Sequence, residues 1–192
     1  MSGGDARERV LEAAYALVSR YGLAKTTVED VAQAAGLSRA TLYRMFPGGR
    51  DELFAAMVGR EMDRFFLRLA DAVGDAPDFA TVLETALVHA HREIAHHAVL
   101  QMMLATEPER LLPMMTVEEI RIHDAVVAYL RPLLEREVAA GRVRAGIDLD
   151  LATRYVASMG LSIMATPGSV DLDDPAAVRR VVREELLGGI LV

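Results

Sequence analysis

The sequence predicts an all-α protein of about nine helices, in which three short N-terminal helices precede a larger helical bundle. Apolar residues recur at spacings of three and four along almost the whole chain, and the alternation typical of strands is nearly absent. Glycine, proline and N-capping residues interrupt this periodicity and mark helix ends. With 192 residues, 52% of them hydrophobic, and no cysteine, the chain is expected to bury a core without disulfides.

The first three helices are delimited by glycines and capping residues. An apolar stripe over residues 10–18 predicts a helix that ends near Gly22. Thr27 stands three residues before Asp30, close to the capping-box pattern, so a second helix is expected to run to about residue 35. Gly36 ends it, and Ser38 is placed to cap a short third helix, RATLYRMF, before the Pro-Gly-Gly break.

The remaining helices form the body, and their ends are marked by prolines and acidic caps. Asp148 and Asp174 are expected to cap the last two helices, and Pro132 to bend the longest one. A break near Glu107-Pro108 and a second break before residue 116 divide the middle of the chain. The expected ranges are 50–73, 79–97, two short helices between 99 and 116, 116–140, 149–165 and 175–187.

Charge is distributed unevenly along the chain. The net charge is −7, but the first 50 residues carry seven basic and five acidic side chains, and the remaining 142 carry 14 basic and 23 acidic ones. A mildly basic head on an acidic body is compatible with a polyanionic partner. No run of 18 apolar residues and no signal peptide is present, so we expect a cytoplasmic protein without membrane contact.

The segment GLSRATLYR forms a helix-turn-helix pattern with the helix before it, and the second helix of this motif enters the DNA major groove. Arg39 and Thr41 lie in its first turn, where a guanidinium reaches guanine edges and a methyl group contacts thymine. Tyr43 and Arg44 follow one turn later and suit phosphate or base contact. Upstream, Lys25, Thr26 and Thr27 surround a helix N-terminus, which offers donors to a phosphate.

The stretch TTVEDVAQAAGLSRATLYRMFPGGRDELF resembles the DNA-binding head of the TetR family of bacterial regulators, over roughly residues 6–54. The resemblance implies an all-helical homodimer with a DNA-binding domain at 1–50 and a ligand-binding and dimerisation domain at 51–192. One departure is an extra residue between Phe46 and Leu53, with Gly49 in place of the usual serine or asparagine cap. The expected DNA-binding residues are Lys25, Thr26, Thr27, Ser38, Arg39, Ala40, Thr41, Tyr43, Arg44 and Arg50.

The function implied is a transcriptional repressor without cofactor or enzymatic activity, released from a palindromic operator by a small apolar or amphipathic effector. The body is rich in methionine, which shapes adaptable ligand cavities but also fills ordinary cores. An effector that binds against the long fourth helix would tilt it, and this tilt would change the separation of the two recognition helices in a dimer. The expected effector residues are Met62, Phe65, Phe66, Met102, Met103, His123, Val126, Val127, Leu130 and Met159.

The last two helices, 149–165 and 175–187, are expected to pair with their copies across a two-fold axis. Tyr155 and Met159 share an apolar stripe on the first of them, and Val182 is central on the second. A charge at Val182 is therefore expected to produce monomers.

Two alternative functions remain open at this point. The helices are also compatible with an interaction module that does not bind DNA. His89, Glu93 and His96 share one helical face, which suggests a metal-sensing or metal-dependent bundle. The second Glu-x-x-His motif that a di-iron site requires is missing, as are a nucleophile elbow and a phosphate loop.

Overall fold

The computed structural model describes residues 3–166 and 168–192, and for residues 110–120 it describes the backbone only. Within these residues the protein consists of nine α-helices, a π-helical segment and no strand, which confirms the all-α prediction. The elements are α1 Gly3–Tyr21, α2 Val28–Ala34, α3 Arg39–Met45, α4 Gly49–Val73, α5 Phe79–His96, α6 Ala98–Thr106, α7 Pro108–Ala139, α8 Leu149–Ala165, α9 Pro175–Arg180 and the π-helix Val181–Leu186.

Side-chain caps begin several helices where the sequence predicts them. Asp148 accepts hydrogen bonds from the first turn of α8, and Asp174 accepts one from Ala176 at the start of α9. His97, which was expected to end α5, instead caps α6, because its Nδ1 accepts the Leu100 N–H at 3.2 Å. The predicted helix ends are therefore confirmed to within one or two residues here.

The middle of the chain differs from the prediction. The break after residue 106 is present, but α7 runs without interruption from Pro108 to Ala139, so the second expected break is wrong. Pro113 and Pro132 both lie inside this helix. A proline removes one backbone hydrogen bond, and the rest of a 32-residue ladder holds the helix together across that local loss.

The chain packs as two compact units, whose boundaries do not coincide with the predicted functional boundary at residue 50. The first comprises Met1–Arg68 and Ala95–Pro113, and the second comprises Leu69–Ile94 and Met114–Val192. In the first unit, α1 packs against α2 and α6, and α2 packs against α3. Its buried side chains include Val10, Ala14 and Val18 of α1, Val31 of α2, Leu42 of α3, Leu53 and Met57 of α4, and Val99 and Met103 of α6.

The second unit is built around apolar side chains from α5, α7, α8, α9 and the π-helix. An isolated bridge between Val143 and Leu191 ties the C-terminal residues to the turn after α7. The core includes Phe79, Leu83, Leu87, Leu130, Leu134, Val156, Ala157, Val178, Val182 and Leu186. None of the helices in the described part is long and apolar enough to cross a membrane.

The apolar stripes of the last two helices lie differently from the prediction. Tyr155 and Met159 of α8 are exposed rather than sharing a face with the buried Val156. Val182 is fully buried in the core of its own unit. The expectation that a charge at Val182 separates a dimer is therefore wrong, because this residue already packs within its own chain.

Candidate DNA-binding site

The turn between α2 and α3 has the hydrogen bonds of a glycine-terminated helix. Gly36 adopts φ +68°, which favours glycine, and its N–H donates to the Gln33 carbonyl at 3.1 Å. The Leu37 N–H donates to the Ala32 carbonyl at 2.9 Å, completing a Schellman motif. This local geometry sets the direction in which α3 leaves α2.

A complete capping box begins α2. The Asp30 N–H donates to the Thr27 hydroxyl at 3.1 Å, and the Thr27 N–H donates to an Asp30 carboxylate oxygen at 3.0 Å. The Thr27 hydroxyl also donates to this oxygen at 2.6 Å. These bonds, the side-chain one first, hold the pKa of Asp30 below its usual value.

Ser38 caps α3 and also orients Thr41. The Thr41 N–H donates to the Ser38 hydroxyl at 3.2 Å, and the two hydroxyl oxygens lie 2.9 Å apart. Because the Thr41 hydroxyl is engaged with the cap, its methyl group is the part left for a base.

One face of α3 is buried and the opposite face is exposed. Leu42 is fully buried, as is Phe46 just beyond the helix end, which confirms that they face inward. The exposed face presents two guanidinium groups, a phenol and a small side chain, from Arg39, Arg44, Tyr43 and Ala40. Such a face fits a groove lined by hydrogen-bonding edges and bordered by phosphates.

Arg39 is held by two neighbours. One of its Nη atoms lies 2.7 Å from a Glu29 carboxylate oxygen, and its guanidinium stands 5.6 Å from the centre of the Tyr43 ring. A hydrogen bond to the Tyr43 oxygen, followed by the charge of Glu29, raises the pKa of Arg39 above its usual range. The ion pair with Glu29 therefore restrains the exposed guanidinium of Arg39 and competes with other partners for its donors.

The three residues expected around the N-terminus of α2 occupy different environments. Lys25 is exposed beside the capping pair. Thr26 is only 1% exposed, and its hydroxyl donates to the Gly22 carbonyl at 2.8 Å. The side chain of Thr26 therefore holds the preceding turn, whereas the Lys25 side chain remains open to a phosphate.

Arg50, at the start of α4, is also engaged within the protein. Its guanidinium donates to the carbonyls of Leu23 and Thr26 in the turn between α1 and α2, and it lies 4.9 Å from the centre of the Phe54 ring. This placement ties α4 to the turn that precedes α2.

The comparisons with known proteins agree with this geometry. The family model described as "Bacterial regulatory proteins, tetR family" matches residues 10–57, which contain α2, α3 and the start of α4. The HTH-type transcriptional repressor KstR2 of Mycobacterium tuberculosis is 26% identical over 152 residues, covering 78% of this chain and 75% of the relative. Residues 10–57 belong to the TetR family of bacterial regulatory proteins.

Solved structures share the fold of this chain over almost its whole length. A TetR-like regulator from Rhodococcus sp. RHA1 matches with a TM-score of 0.57 and 24% identity, covering 98% of this chain and 99% of the other. Salmonella enterica GusR matches with a TM-score of 0.68 and 19% identity, covering 99% and 97%. TetR regulators bind operator DNA and small-molecule effectors as dimers, and these curated relatives are named regulators rather than enzymes.

The residues expected to contact an effector fall into both compact units of the TetR-family chain. Phe65 and Phe66 are half-buried, with ring centres 5.4 Å apart at an interplanar angle of 76°. His123 Nε2 lies 3.1 Å from the Ser158 hydroxyl oxygen, so this anchor already has a partner on α8. The first unit contains Met62, Phe65, Phe66, Met102 and Met103, and the second contains His123, Val126, Val127, Leu130 and Met159.

Two clefts lie elsewhere. One of about 420 Å³ lies beside Lys25 and Thr26, and one of about 310 Å³ lies beside His89 and Arg179. Neither is lined by any of the ten expected effector residues.

The structure does not support the metal-sensing alternative. Among the residues with described side chains, no group of three or more histidine, aspartate or glutamate side chains is placed to hold a metal ion. His89, Glu93 and His96 share a helical face in α5 but are not brought together as ligands.

Sequence reasoning missed two acidic residues near the DNA-binding site. Glu29 pairs with Arg39 across the helix-turn-helix motif. Glu107 accepts the Ala24 N–H from a position 83 residues away. The only signal for Glu107 was its position before Pro108, at a helix break, and its partner is decided by tertiary packing.

Proposed function

We propose that this TetR-family protein is a cytoplasmic, ligand-responsive repressor that binds a palindromic operator as a homodimer. The observation that carries the proposal is the exposed face of α3, where Arg39, Tyr43 and Arg44 project from a helix whose other face is buried through Leu42. A donor-rich exposed face on a rigid support is what readout in the major groove requires.

We assign base contact to Arg39 and the Thr41 methyl group, and phosphate contact to Lys25, Tyr43 and Arg44. Ser38 and Thr27 orient the two helix N-termini through their caps. Thr26 and Arg50 take the role of holding the α1–α2 turn, since their polar groups bind its carbonyls. Ala40 lies next to Arg39 and allows close approach of the backbone to DNA.

The proposed dimer uses the exposed stripe of α8, formed by Leu151, Tyr155 and Met159, together with the outer face of α9 and the π-helix. Leu151, Tyr155 and Met159 are 68%, 43% and 38% exposed in the single chain, so the proposal rests on a contiguous apolar strip rather than on one exposed residue. Residues four apart on one helix form a continuous strip, and a two-fold axis places this strip against its own copy.

The effector is proposed to be apolar or amphipathic. The edge-to-face pair Phe65–Phe66 and the thioether of Met62 offer a polarisable apolar surface on α4. Within the second unit, His123 stays a predicted polar contact, and its hydrogen bond to Ser158 is one that a ligand group can replace. A shift in affinity of about 1 to 3 kcal/mol suffices to release a repressor, and operator DNA then weakens effector binding equally.

The direct test selects a DNA duplex from a randomised pool with the wild-type protein and measures its affinity at two salt concentrations. The selected sequence is expected to be palindromic, with half-sites separated by about 34 to 36 Å. Arg39→Ala is expected to weaken binding by about 1 to 3 kcal/mol and to relax preference at one base pair in each half-site.

The matched control is Arg136→Ala, which removes the same charge from an exposed position near the end of α7, outside both the DNA-binding and the dimerisation surfaces. It is expected to leave affinity for the selected duplex unchanged within about twofold. If no sequence is enriched, or if both variants bind like the wild type, the proposed interface is wrong.

A further inference from the structure

The turn between α1 and α2 is held by a side chain from outside the first four helices. Glu107 is the residue between α6 and α7, and it is only 7% exposed. Its two carboxylate oxygens lie 2.9 and 3.0 Å from the nitrogen of Ala24, whose N–H donates to them. A hydrogen bond with an ionised acceptor is stronger than one between neutral groups.

The same turn is shaped to receive this carboxylate. Gly22 adopts φ +82°, a conformation that favours glycine. A Cβ atom at this position would lie 2.8 Å from Oε1 of Glu107, closer than side-chain carbons approach oxygen. The backbone conformation therefore favours glycine at position 22, and a side chain there would push the Glu107 carboxylate away from its place beside Ala24.

The carbonyl groups of the turn are bound by Arg50 and Thr26. The guanidinium of Arg50 donates to the carbonyls of Leu23 and Thr26, and the Thr26 hydroxyl donates to that of Gly22. Glu107 thus provides an acceptor for the turn, while Arg50 provides its donors. The exposed Lys25 and the cap residue Thr27 follow immediately in sequence.

We propose that Glu107 is a positioning residue for DNA binding, which holds the α1–α2 turn so that the exposed Lys25 side chain meets a phosphate. This inference rests on the proposed function. It assigns part of the DNA affinity to a residue outside the segment 10–57 that the family model matches.

The test compares Glu107→Met with the wild-type protein, using the duplex that the wild type selects from a randomised pool. Methionine has a similar length and fills the buried space without an acceptor, and circular dichroism checks that the variant is folded. Affinity is expected to fall about tenfold. The slope of log affinity against log salt is expected to become smaller by about 1, because one phosphate contact is lost.

Two further substitutions separate positioning from stability. Glu107→Asp keeps the charge but withdraws the carboxylate from Ala24, and it is expected to show the same loss of affinity and the same smaller slope. Glu107→Gln keeps an acceptor of the same length and is expected to recover most of both. A stability defect alone lowers the fraction of active protein and leaves the slope unchanged. Glu109→Gln, two residues away and exposed, serves as the matched control.

The outcome is decided by the salt slope. The proposal is overturned if the slope of log affinity against log salt is that of the wild type in both Glu107→Met and Glu107→Asp. If Glu107→Met does not fold, a wild-type slope in Glu107→Asp is enough to overturn it. Arg39→Ala, measured on the same duplex, separates this failure from failure of the proposed function. If Arg39→Ala weakens binding while the Glu107 variants do not, only the positioning role of Glu107 is wrong.

Discussion

The pair α2–α3 and the pair formed by α8 and the π-helix differ in how their exposed surfaces arise. In α2–α3, caps join residues three apart, Thr27 to Asp30 and Ser38 to Thr41, and exposed polar side chains alternate with buried Leu42. In α8 both faces contain apolar residues, whereas the π-helix buries its apolar residues and exposes its charged ones, and the core shared with α5 and α7 decides which face of α8 is buried. Local hydrogen bonds can be predicted from a sequence, whereas which of two apolar faces becomes buried depends on residues that are distant in the chain.

The largest expected effect tests the burial of the π-helix. Val182→Glu places an unpaired charge in the core of the second unit, and we expect the free energy of unfolding to fall by about 3 to 5 kcal/mol. Val138→Glu makes the same change at an exposed site on α7, where an effect below about 0.5 kcal/mol is expected. Urea unfolding measures both, and a stably folded Val182→Glu monomer would contradict the burial of this residue.

The second prediction concerns the exposed stripe of α8. Leu151→Glu is expected to leave the monomer folded and to weaken dimerisation by about 2 to 4 kcal/mol, because a two-fold interface contains the charge twice. Leu67→Glu is the matched control, since Leu67 on α4 is 66% exposed against 68% for Leu151. Sedimentation over a concentration series gives the dissociation constants. A folded Leu151→Glu protein that dimerises like the wild type would place the interface elsewhere.

A smaller effect on stability is expected at Glu137 of α7, whose buried carboxylate lies beside the first residue of α5. It accepts hydrogen bonds from Arg142 at 2.5 Å and from the Phe79 N–H at 3.3 Å, and Arg142 foremost holds its pKa below the usual value. A lowered pKa in the folded state means that the stabilisation is present above the unfolded-state pKa, near 4.3, and is lost as the pH falls through the folded-state pKa.

Glu137→Gln is therefore expected to lower the free energy of unfolding by about 1 to 2 kcal/mol at neutral pH, with the difference disappearing in acid. Denaturant unfolding across a pH series checks this. Glu135→Gln, at an exposed position on the same helix, is expected to change stability by less than about 0.5 kcal/mol. A difference for Glu137→Gln that does not vary with pH would rule out the ion pair as its source.

The smallest predicted effect returns to the DNA-binding site. Glu29→Gln removes the carboxylate that holds Arg39, so affinity for the selected duplex is expected to rise by about 0.5 kcal/mol, about twofold. Glu12→Gln removes the same charge from an exposed position on α1 and controls for net charge. The gain should disappear in an Arg39→Ala background. A gain that persists there would show that Glu29 acts without Arg39.

By itself, the sequence determined the helix-turn-helix motif, the family and most helix ends. These features depend on contacts between residues a few positions apart. Gly36 allows the turn, and the hydroxyl groups of Thr27 and Ser38 accept hydrogen bonds from N–H groups three residues further on. The predicted DNA contacts and effector residues stay predictions.

Only the tertiary structure decided that α7 continues through Pro113, that Val182 belongs to its own core, and that Glu107 holds the turn at Ala24. The second and third of these depend on residues far apart in the chain. The energy of such contacts comes from excluding water and pairing buried polar groups, and a linear pattern does not specify which distant partners meet.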